Sequence, residues 1–130
     1  MKYKKAVSPI LLATLWIGLS EFLRNQLLLN NIWKDHYTSL GLAFPSEPIN
    51  GALWMLWSLL FAVVLYALAI KYTFWQTVCI GWMAGFIMMW ILIGNLSVLP
   101  ISLLLYAIPL SVLEVIVAVA IINKFYTPTK

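Results

Sequence analysis

The chain has 130 residues, 64% of them hydrophobic and 9% charged, with a formal net charge of +4. Soluble domains carry about 25% charged residues, so this composition argues against a water-facing surface, and the length leaves room for one domain over residues 1–130. The cations sit at segment ends and form no patch of the kind that marks nucleic-acid binding, while the single cysteine, Cys79, excludes an internal disulfide or thiolate cluster and reads as a small buried hydrophobe.

A membrane helix needs about 20 mostly apolar residues. Four stretches qualify, at about 9–29, 51–70, 74–96 and 101–122. Ser8-Pro9 predicts the start of the first, a capping hydroxyl followed by proline at the first helical position. Lys2 to Lys5, the apolar run and Gly18-Leu19-Ser20 also resemble a signal peptide with its cleavage site. Bulky Trp16 and the return of apolar character at Leu27-Leu28-Leu29 favour an uncleaved span. Within it Thr14, Gly18, Glu21 and Asn25 recur at helical spacing, with Arg24 beside them.

The one long connection runs over 30–50. Asn30-Asn31 is positioned to cap a short helix with Asp35 in its first turn. Ile32, Trp33, His36, Tyr37 and Leu40 then share a face, and Gly41 is a natural stop. This predicts an interfacial helix on the outer leaflet. Phe44-Pro45-Ser46-Glu47-Pro48 reads as stiff and extended, with re-entry at Asn50-Gly51. His36, the only histidine, could join Asp35 and Glu47 in an outer-face polar cluster, but the three have no metal-ligand spacing.

No charged residue lies between Lys71 and Glu114, so that stretch must be two helices and a tight turn, broken at Gly94-Asn95 and Pro100. In the third span Gly81 and Gly85 have the small-x-x-x-small spacing that lets helices approach closely, either within the chain or in a homo-oligomer or with a membrane-protein partner. Met83, Met88 and Met89 read as packing residues. In the fourth, Ala107, Ser111, Glu114 and Ala118 share a face, and Pro109 frees the carbonyl of Leu105 one turn earlier.

Lys2, Lys4, Lys5, Lys71, Lys124 and Lys130 fall on one side of four antiparallel spans, against Arg24 and Lys34 on the other. The positive-inside rule then puts both termini in the cytoplasm. Tyr3, Tyr72, Trp75, Phe125 and Tyr126 would mark the inner interface, and Trp33, Tyr37, Phe44 and Trp54 the outer one.

Glu114 is the anomaly, the only charge between residues 101 and 122. A charged side chain at mid-bilayer costs about 2.5–3.5 kcal/mol on insertion scales. At about 1.5 Å per helical residue, Glu21 lies roughly 18 Å and Glu114 roughly 12 Å from the inner face of a core about 30 Å thick. Both would point into the bundle and could share Arg24. Two carboxylates on one guanidinium are the physical basis of a proton-binding site. Equally, Glu21 and Arg24 can pair on one helix while Glu114 bonds across helices as a structural acid.

The run Ser20-Glu21-Phe22-Leu23-Arg24-Asn25, with His36-Tyr37, Leu40-Gly41-Leu42, Pro45, Pro48, Asn50-Gly51, Gly94-Asn95-Leu96 and Glu114, resembles small uncharacterised four-helix membrane proteins of bacteria. The resemblance implies this architecture and a bacterial inner membrane. It implies no activity and no catalytic residue.

The reading is therefore an all-α membrane protein with four antiparallel transmembrane helices and a short interfacial helix. Its candidate substrate- or proton-binding residues are Glu21, Arg24, Asn25, Ser111 and Glu114. Three functions are open: proton-linked transport or channel-like passage of a small solute; an accessory or assembly subunit of a membrane complex; and a lipid- or isoprenoid-modifying enzyme using His36 and Glu21. No nucleophile elbow, phosphate loop or dinucleotide motif is present, and no cofactor or metal is expected.

Overall fold

The computed structural model describes residues 4–126. Lys2, Tyr3 and Lys130, invoked above for orientation, lie outside them. The described residues are helical without strands: α1 (Lys4–Phe22), a π-helical segment (Leu23–Leu28), α2 (Asn30–Ser39), α3 (Pro48–Ala69), α4 (Phe74–Trp82), a second π-helical segment (Met83–Ile87), α5 (Met88–Asn95), a short 3-10 turn (Ile101–Leu103) and α6 (Leu104–Phe125). Four stretches are long and apolar enough to cross a membrane: Lys5–Leu28, Pro48–Ala69, Phe74–Asn95 and Ile101–Phe125. They overlap all four expected spans and differ at the ends.

The differences have local causes. The first helix starts at Lys4, so Pro9 lies inside it and not at its first position. A proline there forfeits only the bond to the Lys5 carbonyl, near the helix start. α2 begins directly at Asn30 behind Leu29, with no side-chain cap, and Asp35 therefore falls beyond its first turn. Beyond Asn30 its half-buried residues are nonetheless Ile32, Trp33, His36 and Tyr37, four of the five expected on that face; Leu40 is exposed. Gly41 ends α2 at φ +72°, with the Leu42 N–H bonding the Tyr37 carbonyl at 2.9 Å. α3 starts at Pro48, ahead of Asn50-Gly51, because the Asn50 side chain accepts the Glu47 N–H at 3.0 Å and Pro48 takes the first helical position. Thr73 and Gln76 cap α4 reciprocally.

α1 packs on α3 and α6, and α6 also contacts α3 and α4. The shared core includes Ala13, Ile17, Ala62, Leu65, Phe86, Val115 and Ala118. A second cluster, Leu29, Leu99, Leu103 and Ala107, receives Ile32 and Trp33 from α2. The polarity is that of a bundle in lipid. Leu105 is 76% exposed and Ile91 68%, while Ser58, Thr77, Ser111 and Glu114 are fully buried. Water would drive the leucines inward; a bilayer leaves no such force and favours small and polar residues between helices.

Two expectations about side-chain placement are corrected. Cys79 is exposed on the outside of α4, not buried. Met89 packs on the core, whereas Met83 and Met88 face outward. The small-residue pair is used within the chain, since Gly81 faces Leu65 and Gly85 faces Phe61, both on α3.

A Cβ at Gly85 would lie 2.6 Å from the Phe61 ring, and one at Gly81 would strike Leu65, whereas at Gly51 nothing lies within 4 Å. Gly81→Ala and Gly85→Ala should each lower stability by about 1–3 kcal/mol. Gly51→Ala should raise it by up to about 1 kcal/mol through helix propensity. Unfolding of the detergent-solubilised chain by a denaturing detergent, followed by circular dichroism, measures both, and equal stability of all three variants would contradict the close packing.

Candidate functional site

The site forms where α1 passes into its π-helical segment. Glu21 lies in the last turn of α1, and Arg24 and Asn25 lie in the π-helical segment. Three and four residues apart, the three share one helical face and are all buried, at 3%, 5% and 7% exposure. Arg24, which spacing alone puts beside the polar stripe, is turned to the interior with it.

The contacts form one chain. Arg24 Nη2 donates to Glu21 Oε1 at 2.5 Å, and Arg24 Nη1 reaches Glu114 Oε1 on α6 at 3.4 Å. Asn25 Nδ2 donates to Glu21 Oε2 at 2.9 Å, and Trp33 Nε1 of α2 donates to Asn25 Oδ1 at 3.0 Å. The guanidinium carbon stands 5.2 Å from the centre of the Phe86 ring, in cation–π range. Trp16 Nε1 donates to the Glu114 carbonyl at 2.9 Å. The shorter distance makes Glu21 the primary partner of Arg24 and Glu114 the weaker one. Glu114 Oε2 is buried with no hydrogen-bond partner.

Four of the five expected site residues thus meet. Ser111 does not join them: its hydroxyl accepts from Trp82 Nε1 and donates to the Ile108 carbonyl, each at 2.9 Å. No hydrogen bond or ion pair joins Asp35, His36 and Glu47 among the described residues. His36 Nε2 donates to the Ser97 carbonyl at 2.9 Å, Asp35 is exposed on α2, and Glu47 stands at the start of α3. Among the described residues no three His, Cys, Asp or Glu side chains could hold a metal ion together. Trp33, Phe86 and Trp16 are site residues that sequence spacing did not single out. Only the placement of Trp33 on the inward face of α2 hinted at its role.

Two cavities flank the network. One of about 160 Å³ lies between α1 and α6 and is lined by Trp16, Ser20, Arg24 and Glu114 among others, with room for several ordered waters. The other, about 600 Å³, lies between α1 and the first turns of α3 and has Glu21 in its wall. His36 lines neither, so no observed space joins it to Glu21 for acid–base chemistry on one substrate atom.

Family models, curated proteins and solved structures were all searched, and none matches this chain. The likeness to small bacterial four-helix proteins therefore rests on the residues quoted for it alone.

Removing one partner of a buried ion pair costs about 3–5 kcal/mol. Arg24→Gln should destabilise by that order, because it leaves two carboxylates facing each other. Adding Glu21→Gln to it should recover part of the loss. Arg24→Lys should fall between, since a compact ammonium cannot fork to both acids. If Arg24→Gln unfolds at the same denaturant concentration as the unmodified chain, the network is not an organising contact.

Proposed function

We propose that this chain is a single-domain, antiparallel four-span protein of a bacterial inner membrane, and that its Glu21–Arg24–Glu114 site links a proton to the passage of a small solute. Both termini lie in the cytoplasm in this reading, supported by Lys5, Lys71 and Lys124 against Arg24 and Lys34. α2 lies at the outer leaflet, supported by exposed Lys34 and Asp35 opposite half-buried Ile32 and Trp33.

The observation that carries the reading is the count of charges at the α1–α6 contact. Two carboxylates and one guanidinium sum to one negative charge in excess when both acids are ionised, and Glu114 keeps one oxygen unpartnered beside a cavity. A proton on one carboxyl removes that excess, and its release restores it. The contact between spans one and four thus has two charge states, which is what coupling to a proton requires. The larger cavity supplies space for a solute next to Glu21.

The complete burial of Glu114 favours a second reading, an accessory or assembly subunit in which the same network is only an internal staple. The two are separable. In liposomes holding the purified chain and an internal pH dye, addition of cationic, neutral and anionic small solutes should produce a solute-dependent pH change above that of protein-free liposomes. Glu114→Gln, similar in shape, should abolish it while preserving the fold. A pH change of equal size in Glu114→Gln, or none with any solute in the unmodified chain, would leave the staple as the remaining role. Proton binding is read separately by infrared difference spectra, in which a carboxylic-acid band should titrate and be missing from Glu114→Gln.

A further inference from the structure

The cavity between α1 and the start of α3 is asymmetric in its chemistry. Its polar end gathers Glu21, Gln26, Ser46, Glu47 and Asn50, and the rest of its lining is apolar apart from two glycines. Both charged residues in the wall are acids; Arg24 does not line it. The amide dipole at the start of α3, worth about half a charge, offsets Glu47 only in part. Leu19, Phe22 and Met55 of the apolar wall are also exposed on the outside of the bundle, so the cleft is open sideways to lipid. Its volume of about 600 Å³ is that of a small-molecule site. From Glu47 to Met55 the wall follows about 12 Å of helix, roughly the length of a decyl chain.

We propose that this cleft binds a protonated aliphatic amine, with the ammonium at the Glu21 and Glu47 carboxylates and the apolar tail along Leu19, Trp54 and Met55. The proposal rests on the solute-handling reading above and names the class of solute. An ammonium supplies donors to Glu47, which has no ion-pair partner among the described residues, and to Glu21, whose partner Arg24 lies outside the cleft wall, and the tail enters from the bilayer without crossing water. An alkanoate of the same length would bring a third negative charge to the wall, and an alkanol would forgo the charge-assisted bond.

The test is photolabelling in phosphatidylcholine nanodiscs with decylammonium carrying a diazirine in its tail, mapped by mass spectrometry. Labels should fall on Leu19, Trp54 or Met55 and be displaced by decylamine, but not by decanol or decanoate at equal membrane concentration. Glu47→Gln should reduce labelling about tenfold. Gly51→Leu, whose added side chain meets nothing within 4 Å at its Cβ, should block the mouth without disturbing the fold. Equal displacement by decanol or decanoate, or labelling unchanged in both variants, overturns the proposal. The result is independent of the infrared band of Glu114: loss of amine labelling does not remove that band, and absence of the band does not remove the labelling.

Discussion

One guanidinium serving two carboxylates inside an apolar bundle is the constraint that organises this structure. Desolvating an ion costs several kcal/mol even after relaxation, so each member must be met by the others or by hydrogen bonds. Glu21 is met on both oxygens, by Arg24 and by Asn25. Asn25 in turn is held by Trp33, which belongs to α2 and lies outside the first span. The polar network therefore pins α2 to the C-terminal end of the first long apolar helix, and the Arg24–Glu114 contact joins that helix to α6. Glu21, Arg24 and Asn25 stand three and four residues apart and so share one helical face, and the first π-helical segment carries the last two.

The second π-helical segment, Met83–Ile87, carries Phe86 into the same region. Two helices thus depart from α geometry where their side chains meet, as π turns commonly do at functional sites. Around this point the packing is aromatic: Phe86 contacts Trp57, Phe61 and Trp90 with ring centres 5.7–5.8 Å apart. Gly85 gives Phe61 its room. Close approach of backbones, ring contacts and indole donors here replace the hydrophobic force that would drive a soluble bundle.

Much of this was legible in the sequence, and the limits were physical. Apolar runs of spanning length, and polar residues at helical spacing, arise from geometry shared by every helix, so the four spans and the inward faces of Glu21 and Glu114 could be read directly. The roughly 6 Å difference in depth between the two acids is one that a long arginine can bridge. Helix ends were less legible, because caps depend on single side chains: the reciprocal cap of Glu47 and Asn50 starts α3 at Pro48, ahead of the Asn50-Gly51 pair that looked like the start. The π turns were not legible at all, since no residue type encodes them. Trp33–Asn25 required knowing that α2 folds back over the third-to-fourth turn, where His36 holds the Ser97 carbonyl and Ser97 adopts φ +62°. The expected cluster of Asp35, His36 and Glu47 drew on residues near in sequence that no hydrogen bond or ion pair joins among the described residues.

Glu21 is the residue that makes the proposed site more than a staple. Among the described residues it is the only acid that belongs both to the ion network and to the wall of the larger cavity. In the proposed reading, a cation arriving from the cavity side would compete with Arg24 for the same carboxylate. Were it to succeed, the guanidinium would be freed to move toward Glu114, its weaker partner. Solute binding on one face of α1 and proton release on the other would then be two consequences of one shift of a single side chain. No long pathway is needed, because the two sites share a residue. Such an exchange also requires that neither contact be too strong, and the unequal distances from Arg24 to its two acids, 2.5 and 3.4 Å, describe a guanidinium with one partner held and a second within reach.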